Sequence, residues 1–496
     1  MLGSRSAHRM LKQRCQHQAG ITWQTRRTLK QPAFDYRHIQ DNAASVQANA
    51  ERRNVKDVRA HRVAQLYDEF CALTAAANDK RSRLNSASRE LAASESKSES
   101  TKRQARALRE AVRDADAAAA QVQAELEREA ARLPNSTHGD TPEGDESQAR
   151  VIRTHGTLHT IDRVPEDGVD QRHLSQTPFV DHADLAARLG LVDLAAGAAV
   201  AGARFHYWRG AGALLELALV QYAMTRAVRA GFVPHVTPDV ARASVVAACG
   251  FRPREDTNSS NGGGACQTYR VEHESHAAST SDDPLCLVAT AEIPLVAMHA
   301  GSVVDGARLP MSLAGVSHCF RAEAGARGRD TRGVYRVHQF TKVELVTLAH
   351  PGRSDHELTR LVDFQASLYA DLGLTFRVLL MPTHELGAAA FQKFDIEAWM
   401  PGRRRWGEIS SASNCTDYQA RRLHIRARIG NTAAAGGGSG SSSSPVFVHT
   451  LNATAVAVPR LVVAILESFQ RPDGTVVVPP VLRPWMMGID VLEPPS

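Results

Sequence analysis

The chain has 496 residues, 43% hydrophobic and 23% charged, with a formal net charge of +6. That is a globular composition with room for two or three domains and at least one large core, and its basic excess favours an acidic partner. Its seven cysteines, an odd number with no CxxC pair, argue against a zinc ribbon and a disulfide framework, and no apolar run approaches the roughly 20 residues that cross a bilayer.

Residues 1–33 are basic (Arg5, Arg9, Lys12, Arg14, Arg26, Arg27, Lys30), with no acid before Asp35 and no apolar h-region. This is the composition of a mitochondrial presequence, and a basic arm that binds RNA is the alternative. Residues 34–135 are helical in pattern. Val63, Leu66, Phe70, Leu73, Ala77, Lys80, Leu84, Ala87 and Leu91 follow a 3-4 alternation, as do Ala105, Leu108, Val112, Ala115, Ala119, Val122 and Leu126. The polar link Ser94 to Ser100 joins these stripes, so an antiparallel coiled-coil hairpin is expected. Residues 136–150 follow Pro134, which cannot continue a helix, and read as a hinge. From 151 to 496, strand-like runs such as Leu285–Val288 and Val343–Val346 alternate with helical stretches such as 212–230 and 460–470. The expectation is an α+β domain around an antiparallel β-sheet. Two inserts rich in Gly and Ser or otherwise polar, 256–283 and 430–444, read as flexible surface loops.

The most informative segment runs from Phe320 to Glu344. Its ends are strand-like and its middle is dense in Arg and Gly, so a hairpin with a basic loop is expected. Guanidiniums converging there would neutralise a polyphosphate through bidentate donors. Phe340 offers an apolar face to a purine, and Glu344, at the far end of the second strand, a carboxylate to an ammonium group. A solvated basic hairpin with a structural glutamate has the same residues.

The segment closely resembles motif 2 of the seryl-tRNA synthetases, which runs roughly FRxEaGxxGRDTRGlxRxHQFxKVE. The resemblance extends over nearly the whole chain. Phe34 to Asn42 is similar to the family's entry segment, and the hairpin to its tRNA-binding arm. Leu133-Pro134-Asn135 and His138 to Pro142 resemble its hinge, and Gly231 to Pro238 its motif 1, which builds the dimer interface of class II synthetases. Thr290-Ala291-Glu292 matches the TAE element, and Phe394 to Pro401 with Glu408 to Cys415 matches a further pair of segments. Thr450 to Arg460 resembles motif 3, usually TLNGSGLAVxR, with Ala453 and Ala455 where glycines are expected and Thr454 where serine is.

The resemblance implies a class II catalytic domain in 151–496 that joins serine to ATP and then to tRNA(Ser), in a homodimer; the presequence-like N-terminus points to the mitochondrial matrix. Arg321, Glu408 and Arg460 would be catalytic. Arg321, Ala322, Glu323, Val337, Phe340, Glu408, Ile409, Ser410, Ser411 and Arg460 would bind ATP, and Glu408 with Ser411 would hold Mg²⁺. Thr290, Ala291, Glu292, Glu344, Asn452 and Thr454 would hold serine. Glycines belong where backbone passes close to ligand, so each methyl of Ala453 and Ala455 is expected to crowd the site. That crowding is the one sequence argument for the alternative, a catalytically weak paralogue that binds tRNA or acts as a regulator.

Overall fold

The computed structural model describes residues 31–93, 99–156, 179–251, 268–272, 283–323, 332–429 and 444–495, without the side chains of 90–93 and 99–102. The presequence-like residues 1–30, the link 94–98, most of the two inserts and the motif 2 loop 324–331 lie outside them; inside the first insert, Arg270–Val271 form a short strand paired with Leu285 and Cys286, not a loop. Among the described residues no helix is long and apolar enough to cross a membrane. The chain divides into two compact units, residues 32–137 and the rest.

The first unit is helical: α1 (Tyr36–Asp41), α2 (Ala43–Arg52), α3 (Ala60–Ala93) and α4 (Glu99–Arg132). Helices α3 and α4 form the hairpin, and their stripes face inward. Val63, Leu66, Ala77, Ala87, Ala105, Ala115 and Leu126 are buried, while Phe70, Leu73, Leu84, Leu108, Val112 and Val122 are half-buried. The seam is apolar for the heptad reason. The core is richest at the base, where Ile39, Val58, Val63, Leu66, Leu126 and Leu133 meet. Farther out the buried seam residues are alanines, which bury little area, so the arm is held more weakly there. Arg62–Glu125 (2.8 Å) and Arg81–Asp116 (2.7 Å) tie the two helices across the seam, and Arg59, just before α3, pairs with Glu129 at 3.1 Å.

The second unit is built on an eight-stranded sheet. In chain order its strands are β1 (Arg150–His155), β2 (Val233–Val236), β3 (Met311–Phe320), β4 (Gln339–Ala349), β5 (Phe376–Leu380), β6 (Gln392–Met400), β7 (Arg405–Asn414) and β8 (His449–Ala457). They lie in the order β1-β5-β6-β7-β8-β4-β3-β2, antiparallel throughout except for the parallel pair β2–β3. One face is covered by α5 (Ala211–Arg229), α7 (Ser354–Asp371) and α9 (Val458–Ser468), and this interface is the main core. Ala314, Leu345, Ile409, Ala412, Ala453 and Ala455 come from the sheet, and Leu219, Leu361, Tyr369 and Ile465 from the helices. On the other face a smaller core packs α6 (Glu292–Ala297) and α8 (Tyr418–Leu423) over Leu313, Val346 and Leu348. Alternation along β4 and β8 sends Leu345 and Ala453 to one core while Glu344, Asn452 and Thr454 point to the other face, beside that smaller core. The expected α+β architecture, a helical hairpin domain and a domain built around a mostly antiparallel sheet, is the one observed.

Candidate active site

The second face of the sheet holds a cavity of about 400 Å³. Thr290, Glu292, Arg321, Glu323, Val337, Phe340, Glu344, Glu408, Ile409, Ser410, Ser411, Asn452, Thr454 and Arg460 all line it, so segments more than 150 residues apart in sequence converge. Two of the residues named from sequence are not in its wall. Ala291 is buried in the smaller core, and Ala322 sits between two lining residues without facing the space.

Two β-bulges aim the side chains. Strands β4 and β8 shift register between Val343 and Glu344, which sets Glu344 opposite Thr454 rather than Ala455. Strands β6 and β7 shift between Ile396 and Glu397, which leaves Ile409 as the extra residue. Residues three apart on a regular strand face opposite ways; the bulge brings Glu408 and Ser411 to the same face. Glu344 lies in mid-strand, not at a strand end, because β4 continues to Ala349.

One end of the cavity is carboxylate-rich. Glu344 pairs with Lys342 at 2.5 Å and accepts from Thr454 Oγ1 at 3.1 Å. Glu292 accepts from Asn452 Nδ2 at 2.9 Å, and Thr290 Oγ1 caps the Glu292 N–H at 3.2 Å. Burial, then the nearby Glu344 carboxylate, push the Glu292 carboxyl up to about 7. Such a pocket presents carboxylates, two hydroxyls and an amide, which suits a hydroxylated ammonium compound.

The other end is arginine-rich. The Arg321 guanidinium lies 5.1 Å from the centroid of the Phe340 ring; the Arg321 N–H donates to His338 O at 2.9 Å, and the His338 ring Nδ1 lies 2.9 Å from Arg321 O. Arg460, at the start of α9, donates from Nη1 to Glu408 O at 2.6 Å and from Nε to Tyr335 O at 3.0 Å. Arg403 and Arg460 approach the Tyr335 ring at 4.0 and 4.2 Å. Glu323 has φ 45°, a left-handed backbone, and its carboxylate meets Arg336 at 3.4 Å. Burial pushes the Glu408 carboxyl up, but Arg460, Lys393, Arg321 and Arg336 together outweigh it and hold the group below its ordinary value. Glu408 is 45% exposed to the cavity. On the neighbouring strand Asp395, opposite Ser411, keeps a buried Oδ1 with no hydrogen-bond partner among the described residues, while its Oδ2 takes Lys393 at 2.8 Å.

The substitutions in motif 3 do not crowd the cavity. Ala453 and Ala455 face the main core, their φ angles are not positive, and neither lines the space. The methyls fill the layer under α7, where Tyr369 Oη donates to Ala455 O at 2.9 Å. The expected crowding is therefore corrected: strand alternation turns the two residues away. Ser410 touches the cavity but turns its hydroxyl inward to Thr454 O at 2.7 Å. Sequence reasoning missed Lys342, Tyr335, Arg336 and Lys393, which also line the wall. The first three stand inside the motif 2 segment itself, so position in that motif was the available signal.

Residues 269–469 match the model of the tRNA synthetase class II core domain (G, H, P, S and T), which defines the class of this sheet and its site. Residues 34–137 match the seryl-tRNA synthetase N-terminal domain. The chain is 39% identical to a serine–tRNA ligase of Rhodopirellula baltica, over 93% of this chain and 99% of that one. It is 40% identical to a mitochondrial serine–tRNA ligase of Bos taurus, over 76% of this chain and 65% of that one. The seryl-tRNA synthetase of Pyrococcus horikoshii, solved with ATP, superposes with a TM-score of 0.78 at 32% identity, covering 93% of this chain and 100% of that one. The chain belongs to the seryl-tRNA synthetases, the family of serine–tRNA ligases.

Proposed function

We propose that this cavity forms seryl-adenylate from serine and ATP and passes the seryl group to the 3′ end of tRNA(Ser). The observation that carries the reading is one cavity with a carboxylate-rich end, lined by Glu292, Glu344, Thr290, Asn452 and Thr454, beside an arginine-rich end suited to a polyphosphate. Glu292, Glu344, Thr290, Asn452 and Thr454 hold serine by its ammonium and hydroxyl. A pocket that hydrogen-bonds the hydroxyl rejects alanine more strongly than one that measures size alone. Phe340 stacks on the adenine, Glu323 reads its amino group, and Arg460 meets the γ-phosphate.

In the first step a serine carboxylate oxygen attacks the α-phosphorus in line, and the bond to the bridging oxygen breaks to release pyrophosphate. Arg321 binds the α-phosphate as charge builds there. Glu408 and Ser411 present a carboxylate and a hydroxyl, hard oxygens of the kind Mg²⁺ takes, and the unpartnered Asp395 Oδ1 lies on the strand beside them. These residues fit the ion, and Glu408 and Ser411 would hold it; when bound it neutralises charge on the polyphosphate. In the second step a ribose hydroxyl at the tRNA end attacks the adenylate carbonyl carbon, and AMP leaves. Positioning and electrostatics supply the catalysis, and no side chain is assigned as an essential base.

The helical arm binds the tRNA through Arg81, Arg83, Arg89, Arg103, Arg106 and Arg109, all exposed. A homodimer is supported by the uncovered apolar surface at motif 1: the edge strand β2 leaves Val236 89% exposed, and α5, packed on it, leaves Leu217 61% exposed. The matrix of the mitochondrion is supported by the basic N-terminus and by the name of the bovine relative. The whole reading is tested by charging purified tRNA(Ser) with labelled serine. Serine-specific, ATP-dependent esterification supports it, and none with intact tRNA and folded protein refutes it.

A further inference from the structure

Gln419 on α8 is 1% exposed, and both ends of its amide are committed. Its Oε1 accepts from Thr450 Oγ1 at 2.7 Å. Its Nε2 donates to Cys249 O at 3.1 Å and to Glu292 Oε1 at 2.7 Å. Turning the amide over would set its oxygen against a carbonyl and a carboxylate, so the two acceptors fix which atom is which. Glu292 Oε1 also accepts from Asn452 Nδ2 at 2.9 Å. One carboxylate oxygen thus carries two amide donors, one from α8 and one from β8, and Thr450 joins those elements two residues before Asn452.

We infer that Gln419 is a positioning residue of the amino-acid pocket: it pins Glu292 Oε1, so that Oε2 is left for the ammonium or hydroxyl group of the amino-acid substrate. The inference rests on the proposed role of Glu292 in holding serine. The electrostatics agree. Burial and Glu344 disfavour the Glu292 anion, and the Gln419 donor, Lys342 and Asn452 oppose them, with the Cys249 thiol also close by. An amide that merely filled space would have no bearing on that balance. A donor aimed at one carboxylate oxygen sets both the direction of the group and the pH at which it is charged.

The test is serine-dependent ATP–pyrophosphate exchange on the full chain, with KM for serine, KM for ATP and the pH profile of kcat/KM. Gln419→Leu is expected to raise the serine KM about ten-fold or more. It should leave the ATP KM within about two-fold and move the acid limb of the profile to higher pH by roughly one unit. Glu292→Ala, run beside it, separates the two claims. An unchanged serine KM in Glu292→Ala removes the pocket assignment itself, and the inference with it. A raised KM in Glu292→Ala, with neither KM nor acid limb moved in Gln419→Leu, overturns the inference alone. If Gln419→Leu does not fold, Thr450→Val, which removes only the bond that orients the amide, takes its place. It is expected to raise the serine KM roughly three-fold with an upward shift of the limb; no change in either would count against the inference.

Discussion

Thr454 Oγ1 donates to Glu344 Oε2 at 3.1 Å, and it can do so because a bulge puts Thr454, not Ala455, opposite Glu344. The hydroxyl expected on a serine at this place in motif 3 is kept here on threonine, in contact with a carboxylate 2% exposed. Thr454→Val removes a donor from a buried charged group. A bond of that kind is worth about 1.5–3 kcal/mol, so serine KM should rise about ten- to a hundred-fold, whereas Thr454→Ser should keep activity. Steady-state exchange with both variants checks this.

The Glu292 carboxyl, raised to about 7 from an ordinary 4.5, gives serine binding an acid limb. The ammonium ion needs the ionised form, so kcat/KM for serine should climb as pH rises through about 7 and level off above it, since this ratio reports the free enzyme. Glu292→Gln should lose that limb. The linkage runs the other way for folding. The folded chain holds this proton more tightly than the unfolded one, so the stability it contributes is full below about 4.5 and is lost as pH rises to about 7. A pH series of unfolding midpoints on wild type and Glu292→Gln checks the sign.

Mg²⁺ dependence should move with Ser411 and Glu408. Ser411→Ala removes one neutral ligand and should raise the Mg²⁺ concentration for half-maximal exchange by about ten-fold, in the range seen when metal shells lose a partner. Glu408→Gln should raise it further. Metal titrations at saturating ATP read both.

Gln365 on α7 supports the site from behind. Its Nε2 reaches Ser410 Oγ at 2.6 Å, Ser411 O at 2.9 Å and Thr454 O at 2.8 Å, all at the bulged part of β7 and β8. Gln365→Leu leaves buried acceptors under-satisfied and should cost about 1–3 kcal/mol. Denaturant unfolding measures it.

The arm and the cavity should separate by mutation. Arg106→Glu with Arg109→Glu should weaken tRNA binding and flatten its salt dependence, because each lost phosphate contact lowers the salt slope by about one. Adenylate formation should not change. Filter binding across a salt series, beside exchange assays, distinguishes the two effects.

Much of this was legible in the amino-acid sequence because its signals are local or long. The heptads predict most of the hairpin seam, since a narrow stripe has one partner; of the stripe, Leu91 lies outside the described side chains. The motif 2 run carries Arg321, Glu323, Phe340 and Glu344 in one stretch. What was not legible depends on register. Spacing alone does not reveal that bulges would align Glu408 with Ser411 and Thr454 with Glu344. Strand alternation, once the register is fixed, turns Ala453 and Ala455 to the core, so the glycine-to-alanine changes alarm on paper and are quiet in the fold. Gln419 and Gln365 stand outside the motif residues singled out from sequence; their weight comes from hydrogen bonds between elements 31 to 170 residues apart.

The most direct measurement is ATP–pyrophosphate exchange by the full chain with serine, alanine or threonine as the amino acid. The account predicts exchange that requires serine and Mg²⁺, and little with alanine or threonine. Absence of serine-dependent exchange from folded protein, or equal exchange with alanine, would contradict it.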